Sequence, residues 1–169
     1  MIYHVINKDS NIGETMSKWF FLNGFIFILL VWKLTSGHIA LHKVVGGVAF
    51  LFVLYNWTRH AVFTTIRSNI SRQRKIKYAQ LSKKLQPVHK WTGTTALIIA
   101  LLHAAFIGHI FGIHMQHAKM VSGLIALLML CFVVLFGWIR HMRTTVVRRY
   151  LHWGFAYALI VAVVIHLLL

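Results

Sequence analysis

Residues 89–103, HKWTGTTALIIALLH, form a run apolar enough to lie inside a bilayer, yet a histidine closes each end. Hydrocarbon leaves no backbone polar group a partner outside its own segment, so such a run reads as a helix rather than a strand. At 100° per residue, the fourteen residues from His89 to His103 make four turns less about 40°, and the two imidazoles share one face about 21 Å apart. Gly93, Ala96 and Ala100 lie between them on that face. Small side chains between two imidazoles leave room for something flat and bulky. Ionisable residues inside a membrane are functional candidates by default.

The rest of the chain has the same character. Of 169 residues, 59% are hydrophobic and 12% charged, against roughly 45–50% and about 25% in an average soluble domain. Apolar segments at about 18–33, 39–57, 89–113, 120–139 and 150–169 predict an all-α integral membrane bundle of about five transmembrane helices. The first is short and needs Lys18 and Lys33 to snorkel. Its alternatives are an interfacial helix or a signal segment, and the mixed charges of Lys8, Asp9 and Glu14 argue against the latter. Residues 1–17 are expected to be a leader and 18–169 a single transmembrane helical domain. Pro87, the only proline, is expected at the start of the third helix. The single cysteine, Cys131, rules out a disulfide framework or a thiolate cluster.

The formal charge of +16 could suggest nucleic acid, but the cations lie in the gaps between apolar segments, where they orient a membrane protein. Nucleic-acid binding is not expected. Of the 18 Lys and Arg residues, fifteen fall in the leader and in the connections at 59–90 and 140–149. Only Lys33, Lys43 and Lys119 fall on the other side. The N-terminus and both basic connections are therefore expected in the cytoplasm, and the protein in the cell (inner) membrane as a multi-pass chain.

The last apolar segment repeats the opening pattern. HWGFAYALIVAVVIH, residues 152–166, again spaces two histidines by fourteen, with Ala156, Leu159 and Val163 between them. One full crossing separates the two helices, so both run outward. His89 and His152 are then an inner pair, and His103 and His166 an outer pair. Two facing pairs at two depths suit two haems with bis-histidine axial coordination, a state with no open iron site that favours electron transfer. A lone histidine in a membrane could instead bond a neighbouring helix, but that leaves the matched spacing unexplained.

A rival pairing exists. HKVVGGVAFLFVLYN, residues 42–56, matches the third helix at His42/His89 and Gly46/Gly93, with Asn56 in place of a second histidine and His60 one turn further. His42 and His60 are therefore secondary ligand candidates. Arg59, Lys90, Arg140 and Arg149 are inner-rim candidates for haem propionates, and Lys43 is the outer one. His109, His114 and His117, with Met115 nearby, could capture an external metal ion. This supports an alternative, a non-redox membrane metal-binding or transport protein.

The segment 89–103, together with SGLIALLMLCFVVLFGWIRHMRTTVVRRYLHWGFAYALIVAVVIH at 122–166, resembles the ferric reductase-like transmembrane domain family. That family's haem b core is shared by ferric reductases, NADPH oxidases and the methionine sulfoxide reductase haem-binding subunit. The resemblance covers roughly residues 40–169 and is most specific in the paired histidines and the basic entry at 148–152. It implies two stacked b haems, with His89 and His152 on the inner one and His103 and His166 on the outer. It further implies electron transfer from a cytoplasmic or quinol donor to an outer-side acceptor protein or metal. Members commonly continue into a sixth helix and a cytoplasmic FAD and NAD(P)H domain. No GxGxxG loop appears in this sequence, so a separate flavoprotein or quinol donor is expected, with the chain as the electron-transfer subunit of an oxidoreductase. The HKxxG repeats also resemble small cytochromes found beside flavinylated proteins, which would place a flavin on a partner at the outer side.

Overall fold

A computed structural model describes residues 18–36, 40–68, 70–142 and 145–169. The expected leader, 1–17, lies outside the described residues, as do His4, His38 and the side chain of His141. The described chain is 91% helical, in five helices with no strand. They are α1 (Lys18–Thr35), α2 (Leu41–Arg67), α3 (Arg72–Phe111), α4 (Ala118–Met142) and α5 (Val146–Leu168).

Each apolar segment becomes a helix because its backbone bonds must close within itself in lipid. Four helices, α1, α3, α4 and α5, are long and apolar enough to cross a membrane. The fifth, α2, has 27 residues, enough to span, but Asn56, Thr58, Arg59 and His60 dilute its apolar content. Large apolar side chains face outward around the bundle, for example Phe21 and Ile28 on α1 and Val161 on α5. Such a belt belongs against lipid.

The helices outgrow the apolar segments. α3 has 40 residues, about 60 Å, twice a hydrocarbon thickness. Pro87 lies inside it rather than at its start. The stretch from Arg72 to Gln86 is rich in Lys, Arg, Gln and Leu, good helix formers that carry no apolar periodicity. Pro87 and Lys83 are both exposed, so the carbonyl that Pro87 cannot serve faces solvent. At the far end Gly112 closes α3 at φ 74°, a conformation that favours glycine. Its amide donates to the Gly108 carbonyl at 3.1 Å. Thr145 caps α5, accepting from the Arg148 amide at 3.3 Å.

Two closely packed antiparallel hairpins, α2/α3 and α4/α5, build the bundle; α3 lies beside α4, and α1 covers the seam between α2 and α5. Among the described residues the α3 and α5 backbones nowhere come within 8 Å Cα to Cα. These two helices, which carry the spaced histidines, sit diagonally across the bundle. An apolar layer fills its middle: Ile26, Leu30, Phe50, Val53, Leu54, Ala96, Leu130, Leu159 and Ile160.

Candidate functional site

The four spaced histidines fall into two tiers, one on each side of the apolar layer. At the end where the basic connections lie, the His89 and His152 rings meet at 6.4 Å between centres and 84° between planes. They come from α3 and α5, so side chains alone bridge the gap between those backbones. At the other end His103 and His166 are electrostatic neighbours.

Glycines on the first helix of each hairpin set the histidines of the second. A methyl at Gly123 would stand 2.9 Å from His166 Cε1, one at Gly137 3.4 Å from His152 Cε1, and one at Gly46 2.9 Å from His103 Cε1. Three imidazoles thus pack against a neighbouring backbone at a glycine, and at Gly46 and Gly123 an added methyl would force a shift. Gly123 and Gly137 are fourteen residues apart, the spacing of His152 and His166. The antiparallel hairpin α4/α5 therefore repeats one contact at two depths.

The polar partner repeats as well. His152 Nδ1 donates to the Val133 carbonyl at 2.9 Å and His166 Nδ1 to the Lys119 carbonyl at 3.1 Å. Each acceptor stands four residues before the glycine. A carbonyl only accepts, so Nδ1 carries the proton and the Nε2 lone pair is left to ligate. Ser122 Oγ adds a second contact to His166 Nδ1 at 3.1 Å. For His103 the equivalent carbonyl is that of His42, four residues before Gly46; it neighbours the ring, although Nδ1 makes no hydrogen bond.

His89 breaks the pattern. The position on α2 fourteen residues after Gly46 is His60, not glycine, and His89 Nδ1 is buried without a partner. A cavity of about 20 Å³ lies against this ring, lined among others by Asn56, Thr58, Arg59 and Ser82. That is room for about one water. His60 itself turns away from His89. Its Nε2 pairs with Tyr157 Oη at 2.8 Å, and its ring packs edge-on to Trp19, Tyr157 and Trp153. His42 packs edge-on against Phe111 at 5.5 Å.

Cations ring both tiers. Arg59 and Arg140 are within electrostatic reach of both His89 and His152, and Arg149 of Arg140. Three helices thus bring three guanidinium groups to one tier. Arg59 Nε and Arg149 Nε are buried without a hydrogen-bond partner. The chain's only acidic side chains are Asp9 and Glu14, outside the described residues, so no carboxylate side chain answers these arginines among the described ones. Lys90 Nζ lies over the Trp138 ring at 4.8 Å. At the other tier Lys119 has Lys33 and Lys43 as electrostatic neighbours, and Lys33 donates to the Leu168 carbonyl at 3.3 Å.

The small residues between His89 and His103 do not border open space. Ala96 is fully buried in the apolar layer, and Gly93 has the Asn56 amide nitrogen 3.8 Å from where its Cβ would stand. Asn56 accepts from Thr92 Oγ1 at 2.8 Å, which ties α2 to α3. Two buried groups that sequence reasoning did not single out, the Asn23 amide and Trp57 Nε1, also lack partners. Among the described residues, no three His, Cys, Asp or Glu side chains gather as a metal site. Compared with known proteins, the chain matches no family model, no curated protein and no solved structure.

Proposed function

We propose that this chain is a di-haem b-type cytochrome of the cell (inner) membrane, similar to the ferric reductase-like transmembrane domain. His89 and His152 hold one haem near the cytoplasmic surface; His103 and His166 hold the other near the outer surface. The observation that carries the proposal is the close approach of His89 and His152 across the bundle. Metal–imidazole bonds of about 2 Å, with about 1.1 Å more to each ring centre, separate two axial imidazoles by about 6.2 Å across one metal. The two rings stand 6.4 Å apart, on helices whose backbones keep clear of each other.

The other residues suit the same group. Backbone carbonyls orient the α5 imidazoles and raise their basicity, as second contacts to metal-bound histidine do. Arg59, Arg140 and Arg149 bring guanidinium groups to the inner tier, and Nε of Arg59 and of Arg149 lacks a hydrogen-bond partner; guanidinium groups match carboxylates such as haem propionates. Lys33, Lys43 and Lys119 supply cations at the outer tier. Haem b ligated by two histidines supplies a one-electron carrier without an open iron site. The apolar layer between the tiers excludes water from the path. With the basic end in the cytoplasm, electrons would enter from a flavoprotein or quinol donor and leave to an outer-side acceptor protein or metal. This chain would then be the electron-transfer subunit of an oxidoreductase. His60, held by Tyr157, and His42 would flank the haems rather than ligate them.

Single histidine variants test the proposal. His152→Ala and His166→Ala should each lower haem content from two per chain to one and remove different components from the reduced-minus-oxidised spectrum. If both variants keep the full wild-type haem content, the ligand assignment is wrong.

A further inference from the structure

The connection between α3 and α4 contains side chains that the haem proposal leaves unused. Residues 112–120 read GIHMQHAKM, with two histidines and two methionines in nine positions. Its centre is a tight turn, closed by the His117 amide donating to the His114 carbonyl at 3.1 Å. Residues i and i+3 of such a turn stand within about 7 Å of each other. The two imidazoles accordingly meet at 5.8 Å between centres, 87° apart in plane. Two imidazoles bonded to one metal at about 2 Å each, in a bent arrangement, would put their centres about 5–6 Å apart.

Sulfur completes the set. The His114 amide donates to Met120 Sδ at 3.0 Å, which draws the thioether onto the turn beside the first histidine. A thioether accepts only weakly, so a contact this short marks a sulfur held in place by the fold. One lone pair remains for a metal. Both histidines are exposed, and the turn is at the end of the bundle opposite the basic connections.

We propose that this turn binds copper as Cu(I), through His114, His117 and the Met120 sulfur. The ligand types choose the metal. Calcium and magnesium need oxygen ligands, and Asp9 and Glu14, the only acidic side chains, are far away in sequence. Zinc sites are usually four-coordinate with Cys, His or carboxylate ligands, whereas soft thioethers select Cu(I). The site is separate from the four spaced histidines and does not rest on the haem proposal.

The test is a competition titration of the full chain in detergent, under anaerobic reducing conditions, with Cu(I) held by a chromophoric bidentate chelator. Wild type should withdraw one copper per chain from the chelator at this site. His114→Ala with His117→Ala should abolish that withdrawal. Met120→Leu keeps the apolar bulk and removes the sulfur, and should weaken binding by about tenfold or more. His109→Ala, on the last turn of α3, should leave it unchanged. Elution of every variant as the same detergent-bound species shows that the fold is kept. Retention of the copper by the double histidine variant, or failure of wild type to compete, overturns the proposal. Equal binding by Met120→Leu removes the sulfur from it. Haem content measured on the same samples separates this result from the fate of the cytochrome proposal.

Discussion

At the scale of single residues, the glycines of α2 and α4 decide where the histidines can stand. Added methyls at Gly46 and Gly123 would come to 2.9 Å from His103 and His166, whereas one at Gly137 would come only to 3.4 Å from His152. The first two substitutions must push an imidazole aside; the third needs a shift of a few tenths of an ångström. Gly46→Ala and Gly123→Ala are expected to lose the outer haem and to destabilise the fold by about 1–3 kcal/mol, the usual cost of overpacking. Gly137→Ala should keep both haems. Pyridine haemochrome assays on the three purified variants check this ordering. His89 supplies a second contrast, because it alone among the four has neither a glycine cradle nor a carbonyl at Nδ1. An unanchored imidazole is the weaker and more mobile ligand. Added cyanide or imidazole should therefore bind the inner haem before the outer one. Optical titration of wild type reads this, and simultaneous reaction of both haems would contradict it.

At the scale of helices, most of the fold was legible from apolar run length. Unbroken apolar runs approaching roughly 20 residues read as helices, and a helix forms at each of the five. What escaped has physical causes. The first four turns of α3 carry charge and no apolar face, so periodicity does not reveal them. Pro87 then looks like a helix start although it lies within one. Its cost is that of a lost bond at an exposed turn, so Pro87→Ala should raise thermal stability by up to about 3 kcal/mol without changing haem content. A thermal melt followed by tryptophan fluorescence would show it; a lower midpoint would mean that the proline sets a needed bend. The candidate site was legible only in part. A fourteen-residue spacing is visible within one helix. The glycine and carbonyl that receive each histidine sit on another helix, and nothing in one strand of text gives the offset between α4 and α5. The small residues on α3 were visible, but they pack against α2 rather than leaving space. His60 matched the pattern by position, while the aromatic side chains of α1 and α5 draw it the other way.

At the scale of the whole molecule, charge and apolar content are sorted into layers. Arginines gather at one histidine tier, lysines at the other, and an apolar layer lies between. The chain has 18 basic and 2 acidic residues, so few of its cations can be neutralised internally. Donors buried without acceptors, here Arg59 Nε and Arg149 Nε, are costly, and an anion bound beside them would relieve that cost. Arg59→Gln combined with Arg149→Gln should weaken retention of the inner haem and leave the outer haem in place. Haem loss to apomyoglobin, followed optically, measures this. The central claim is that four imidazoles on α3 and α5 hold two b haems. Its most direct test is the haem-to-protein ratio of the purified chain, expressed with ample haem supply, together with its reduced-minus-oxidised spectrum. The expected result is two haems per chain with low-spin b-type bands. A colourless, porphyrin-free protein that is otherwise folded would contradict it.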